Sequence, residues 1–298
     1  MAVQQFNADQ IYPAQAILGE GPIWDPRYSS FWWIDIEAKR LFQFSPDTGK
    51  NLMWQLDEMP GAVVARKQGG LILALEHGFG SFDPESAEIE VLGDPERDVP
   101  NNRFNDGKCD PAGRFWAGTM RIEDHMEIHT GSLYSLETNG KIIKRIGGDI
   151  GVSNGIVWSS DASRMYFVDS PTREIFRFDY DLESGDIKNR ECIFHAPDEF
   201  GFPDGMTIDT DDKLWVAFWG GWCVAKICPE TSKILAKVSV PVEAPTACAF
   251  GGPNHDQLLI TTASIGLSQN DRVLQPLAGD LFMANVEAEG VLQPEYAG

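Results

Sequence analysis

The chain has 298 residues, of which 45 are Asp or Glu and 24 are Lys or Arg, giving a formal net charge of −21 at pH 7. A surface this acidic repels phosphate backbones and anionic lipid headgroups, which argues against nucleic acid and membrane surfaces as partners. An apolar content of 43% with 9 Trp and 17 Phe excludes a disordered chain, and no apolar run approaches the roughly 20 residues that a membrane helix needs.

From the amino end, MAVQQFNADQIYPAQ has neither a basic region nor an apolar run, so no secretory leader is expected. The first patterned unit is GPIWDPRYSSFWWIDIEAKRLFQFSPDTGK, from Gly21 to Lys50. It reads as a strand, an Asp-Pro turn, an aromatic strand, a short polar turn and a strand with alternating apolar residues. Weaker copies open at Gly61 with GAVVARKQGGLILALEHGFGSFDPESAEI and at Gly107 with GKCDPAGRFWAGTM, continued by GSLYSLETNGKI. Closer copies open at Gly155 with GIVWSSDASRMYFVDSPTREIFRFDY and at Gly205 with GMTIDTDDKLWVAFWGGWCVAKICPETSKI. A sixth opens at Thr246 with TACAFGGPNHDQLLITTASIG, continued by AGDLFMANVEAEGV.

The first turns of these units fall near Asp25, Lys67, Asp110, Ser160, Asp209 and Gly251, spaced by roughly 40 to 50 residues, the length of four short strands in a propeller blade. No window holds a helical i, i+3, i+4, i+7 pattern for three turns. The chain is therefore expected to be all-β, a six-bladed β-propeller in one domain over residues 1–298. QQFNADQIYPAQ should close the ring as an outer strand of the last blade, removing an exposed edge.

Five residues before the first turn, four of the six units carry an oxygen-bearing side chain: Glu20, Asn105, Asn154 and Asp204. The second and sixth units have Ala62 and Thr246 at the same phase. Innermost strands line the channel of a propeller, so the four side chains should converge at one mouth. Asn and Asp are poor strand formers, which sets the repetition apart from chance, although both also serve in turns. Two carboxylates and two carboxamides, with no thiolate or imidazole, suit a hard divalent cation, Ca²⁺ first, with Mg²⁺, Mn²⁺ or Zn²⁺ as alternatives. Arg103 lies two residues before Asn105, on the same strand face, and is expected to grip substrate oxygens. Asp106 should point the other way and anchor the strand.

Other candidates carry less. His125 and His129 would share a face on a helix, as a zinc pair does, but no third ligand accompanies them, so they are expected in a loop or lid over the substrate. GFGSF and FWGGW lack the Lys-Ser/Thr of a phosphate loop, and no G-x-S-x-G elbow occurs. The five cysteines show no CxxC spacing and are expected to be buried, reduced thiols of a cytoplasmic protein.

LGEGPIWD, NRFNDGKCDPAGRFWAGTM, GSLYSL, SNGIVWS, PDGMTID and KLWVAFWGG, in this order, resemble the gluconolactonase, regucalcin (senescence marker protein) and luciferin-regenerating-enzyme family. The resemblance extends to CAFGGPNHDQLLITTA, LAGDLF and the terminal EYAG, and it implies a six-bladed propeller. It further implies that Glu20, Asn154 and Asp204 are metal ligands, with Asp204 doubling as general base. Arg103, Asn105 and Glu123 are implied to contact substrate, Asn105 also standing near the metal. Around Glu123 the loop RIEDHMEIHT departs from the family pattern, leaving the choice of substrate open.

The implied reaction is metal-assisted hydrolysis of an aldonolactone, such as glucono-, xylono-, arabino- or galactonolactone, to the aldonic acid. The cation polarises the carbonyl while a water activated by Asp204 attacks. Two alternatives keep the site: a propeller phosphotriesterase-like hydrolase, and a calcium-binding regulatory protein without turnover. A pure calcium buffer needs no substrate-binding arginine, which favours an enzyme. The chain is expected to be a monomer or weak homo-oligomer.

Overall fold

The computed structural model describes residues 2–298. Its strands fall into six sheets, five of four strands and one of five, each built mainly from consecutive antiparallel neighbours. The six inner strands are Gly19–Asp25, Pro60–Ala65, Asn102–Cys109, Ser153–Trp158, Phe202–Ile208 and Pro245–Gly251. Each packs beside the next and the sixth packs beside the first, so the ring closes as a six-bladed β-propeller. Among the described residues the α-helix is confined to Gln269–Leu274, and no helix is long and apolar enough to cross a membrane.

Blades are sheets buried on both faces, which explains why several strands read as continuous apolar runs rather than as clean alternations. In the strand Ser30–Asp35, Phe31 and Trp33 pack toward the sixth blade while Trp32 and Ile34 pack toward the second. Six such hydrophobic clusters fill the six seams between neighbouring blades. Near the axis the inner strands approach so closely that a Cβ on Gly155 would lie 2.7 Å from the Asp204 carbonyl oxygen, and one on Gly205 would lie 2.5 Å from Ala247 Cβ. Glycine is required at both positions by contact with the neighbouring strand.

Ring closure is more elaborate than expected. Asp9–Tyr12 pairs antiparallel with Leu281–Asn285 as the outer strand of the sixth blade. Gln4–Asn7, however, adds a parallel fifth strand to the fifth blade beside Lys233–Ser239. The amino-terminal segment thus covers two blade edges and spans the seam between them. All five cysteines are free; four are buried, but Cys192 is exposed on the outer strand Ile187–His195, correcting the expectation that every thiol is internal.

Three inner strands end in, or are followed directly by, a buried aspartate that latches the blade. Asp110 accepts hydrogen bonds from the backbone N–H of Ala112 and Arg114 (3.0 and 2.9 Å), the Trp116 indole (2.9 Å), the Tyr180 hydroxyl (2.7 Å) and the Arg114 guanidinium (3.1 Å). Asp209 repeats the pattern with the Trp215 indole (2.9 Å) and Lys226 (2.7 Å), and Asp25 with Arg27 and, at 3.4 Å, the Trp32 indole. Each carboxylate thereby ties the first turn to the second strand. Asp110→Ala leaves an indole, a hydroxyl and a guanidinium without their acceptor, and we expect a loss of about 3–5 kcal/mol in urea unfolding, with Asp110→Asn losing less. A loss below about 1 kcal/mol would show that water replaces the carboxylate in the latch.

Candidate metal and substrate site

The starts of the inner strands converge on one cleft of about 550 Å³. Glu20, Arg103, Asn105, Asn154 and Asp204 all line it, from the first, third, fourth and fifth blades. Each is only 5–7% exposed, so these polar groups are largely withdrawn from solvent.

Local backbone geometry aims them. In every blade the inner strand carries one residue more than its partner near its start, and the pairing shifts between Glu20 and Ile23, Phe104 and Gly107, Ser153 and Ile156, and Pro203 and Met206 in the four site blades. Such bulges turn side chains out of the usual alternation. Aspartates at the ends of second strands hold the approach to two of them. Asp35 accepts from the Ile17 and Leu18 N–H (2.9 and 3.0 Å), just before Glu20, and Asp169 accepts from Gly151 and Val152 (3.1 and 3.0 Å), just before Asn154. Neither aspartate stands among the candidates drawn from sequence. The signal lay in WWID and YFVD, where an acidic residue follows an apolar run in two units.

The side chains form a directed network. Arg103 Nη1 donates to the Phe104 carbonyl (2.9 Å) and to Asn105 Oδ1 (2.8 Å). Asn105 Nδ2 donates to the Ser153 carbonyl (2.8 Å) and, at 3.3 Å, to Asn154 Oδ1. Asn154 Nδ2 donates to Ser170 Oγ (2.8 Å), whose hydroxyl donates to the Pro203 carbonyl (2.7 Å). Ser170 thus joins the fourth blade to the residue preceding Asp204. It too was not singled out from sequence.

Burial raises the Glu20 carboxyl to about 8, with Asp106 reinforcing it and the Gly21 N–H, Arg103 and Lys108 opposing. Asp204 is raised well above the carboxylate range by burial, then by Glu20 and Asp106, against the Gly205 N–H and the Asn154 amide. Burial also lowers Arg103 and Lys108. Asp106 lies below the cleft floor, in a small cavity it shares with Lys108, and its Oδ1 accepts from the Gly107 N–H (2.7 Å). The Lys108 ammonium donates to the Met206 carbonyl.

Desolvated carboxylates facing each other fit a divalent cation, which favours their ionised forms. The donor set is oxygen only, as a hard cation prefers. It is also small: among the described residues no group of three or more His, Cys, Asp or Glu gathers as a metal site, so carboxamide oxygens would have to complete the shell. The loop after the third blade's second strand reaches the cleft through Ile122, His125 and Met126. Glu123 is exposed and stands outside the cleft lining, and His129 is exposed beside Gly151.

Residues 18–264 match the family model described as the SMP-30/gluconolactonase/LRE-like region. A Bacillus subtilis protein, whose name carries a provisional assignment as the sugar lactone lactonase YvrE, is 38% identical over 284 residues, 95% of this chain and 96% of that one. Human regucalcin is 35% identical over 292 residues, 97% of each chain. The crystal structure of a regucalcin from Agrobacterium tumefaciens, described as a calcium-binding protein, superposes with a TM-score of 0.93 at 28% identity over all of both chains.

The electrostatics generate a pH-dependent expectation. Without a cation, the folded protein keeps a proton on Glu20 that the unfolded chain releases above its ordinary 4.5. That contribution to stability is complete below 4.5 and is lost as pH rises through about 8. A cation binds the ionised form, so the gain in Tm from saturating Ca²⁺ should be larger at pH 8 than at pH 5, and Glu20→Gln should shrink the difference. Equal gains at both pH values in the unmodified protein would show that the carboxyls are ionised before the cation arrives.

Proposed function

The chain belongs to the SMP-30/gluconolactonase/LRE-like family, and we propose that it is a divalent-cation-dependent lactonase that opens an aldonolactone to the aldonic acid. The observation that carries this reading is the placement of two desolvated carboxylates beside the buried Arg103–Asn105 pair in one cleft. Glucono-, xylono-, arabino- and galactonolactone are the first substrates to try.

Glu20, Asn154 and Asp204 would hold the cation, with Asn105 beside them. When bound, Ca²⁺, or in turn Zn²⁺, Mn²⁺ or Mg²⁺, supplies positive charge for the lactone carbonyl oxygen and acidifies water. Arg103 keeps Nε and Nη2 free of protein partners and can direct both at substrate oxygens, because its protein hydrogen bonds use Nη1. Asn105 donates to the Ser153 carbonyl and to Asn154, which fixes its Oδ1 as an acceptor for a substrate hydroxyl. Asp204 accepts the proton of the attacking water. A bond forms from that water to the carbonyl carbon, the ring C–O bond breaks, and the released alkoxide takes up a proton. Asn154, braced by Ser170, keeps the fourth and fifth blades in register around this step.

Calcium binding without turnover is the reading suggested by the description of the Agrobacterium relative. The buried guanidinium weighs against it. Burying Arg103 costs free energy that a cation site alone does not recover, since like charge weakens cation binding.

The discriminating experiment is acid release from a lactone panel by cation-stripped protein resupplied with Ca²⁺, Mg²⁺, Mn²⁺ or Zn²⁺. Turnover should require the added ion. At saturating ion Asp204→Asn should lower kcat by roughly 10²-fold or more, the scale of a lost general base. Asn105→Ala should mainly raise KM. Near-normal turnover of Asp204→Asn at saturating ion would make Asp204 a ligand only.

A further inference from the structure

The cleft has two levels of opposite character. Its floor is the polar set at the starts of the inner strands. Above the floor stand Met120, Ile122 and Met126 from the third blade, Phe202 and Trp219 from the fifth, and Ile265 from the sixth. These come from strand ends and loops on three blades, yet they face one concave space. Ile122 and Met126 are 38% and 43% exposed, so large apolar side chains are held at the rim with nothing apolar covering them. Single exposed apolar residues are ordinary on a protein surface, but a wall of them around a polar floor is the composition of a ligand site. The volume of about 550 Å³ falls within the roughly 300–1,000 Å³ of sites for drug-sized molecules, more than a bare six-carbon lactone fills.

A polyhydroxylated ring would satisfy the floor and leave most of its outer hydroxyls against thioether, indole and aliphatic groups that hydrogen-bond weakly. Among the described residues the exposed Glu37 is the one carboxylate at the rim. An alkyl or aromatic substituent would instead displace water from that wall. His125, on the same loop, also lines the cleft, and its Nδ1 is buried without a protein partner.

We propose that the preferred substrate is a lactone carrying an apolar arm, its ring at the Glu20–Asn154–Asp204 floor and its arm against Met120, Ile122, Met126 and Trp219. The proposal rests on the lactonase reading and changes its preferred substrate from an aldonolactone to a lactone with an apolar arm. The arm takes no part in the chemistry: water still adds to the carbonyl carbon and the ring C–O bond still breaks.

The test measures kcat/KM of the cation-saturated full chain for γ-butyrolactone, γ-valerolactone, γ-heptalactone, γ-nonalactone and D-glucono-1,5-lactone. Each methylene buried is worth about fourfold, so with about three of the arm's carbons buried γ-nonalactone should exceed γ-butyrolactone by about 50-fold or more, and should exceed the gluconolactone. Met126→Ser should cut the nonalactone-to-butyrolactone ratio by about three- to tenfold, Met126→Leu should retain it, and thermal melts should show both variants folded. A flat alkyl series with gluconolactone turned over overturns the apolar arm and leaves the lactonase standing. Absence of turnover on every lactone removes both.

Discussion

Negative charge without water, brought together by a shared axis, is the constraint on which this molecule depends. Six inner strands must point at one line, and three of them deliver Glu20, Asp106 and Asp204 to its vicinity. Burial alone raises their proton affinity, Asp106 adds to this at Glu20, and Glu20 and Asp106 add to it at Asp204. Two cations, Arg103 and Lys108, are buried in the same region and offset part of this field. They sit at different levels: Arg103 in the cleft, Lys108 beneath it with Asp106. The floor is therefore left with carboxylates whose ionised forms need a further positive charge, which is the physical case for a resident cation.

Such an arrangement is expensive to hold, and the rest of the fold is organised to hold it. Apolar seams between blades supply the burial, while polar latches fix the ends of the strands. Asp25, Asp110 and Asp209 clamp the first turns at one end; Asp35 and Asp169 grip the segments entering the inner strands at the other. The two sets have different duties. The first ties turns to second strands and bears on stability. The second fixes the backbone two or three residues from Glu20 and Asn154, and so bears on where their oxygens stand.

The propeller and its site were legible to unequal degrees. A period of roughly 40 to 50 residues, with apolar runs between Gly, Pro and Asp, predicts the blades, because each blade repeats the same burial problem. The shared phase of Glu20, Asn105, Asn154 and Asp204 predicts their meeting, because residues at one level of inner strands have nowhere else to point. What alternation could not show is the extra residue in each inner strand, since a bulge leaves no compositional mark beyond the nearby glycines. Gln4–Asn7 was read with Asp9–Tyr12 as one outer strand, because a single turn separates two strands that pair with different blades. Glu123 was placed by resemblance across a loop whose sequence departs from the pattern, and there the structure puts an exposed side chain outside the lining. Asp35, Asp169 and Ser170 act through backbone groups and through Asn154, which a search for oxygen donors does not detect.

The division of the cleft follows from which parts of a propeller are free to vary. Floor residues stand on inner strands whose neighbours lie within contact distance, so that even a methyl group on Gly155 or Gly205 would collide with the next blade. Groups on that floor cannot move independently, which suits a cation and a general base that must hold one geometry. The wall is built at strand ends and in the 121–130 loop, where Ile122 and Met126 are exposed while Met120 is buried and bridges Val152 of the next blade. None of the hydrogen bonds by which Asp35 and Asp169 hold the floor involves a residue of that wall. On the proposed reading, chemistry would reside at the floor and substrate choice at the wall, two layers of one site. The shared phase of the four oxygen donors within this chain's own repeats, set beside second-to-third-strand connections as unequal as 122–130 in the third blade and 263–280 in the sixth, fits that separation.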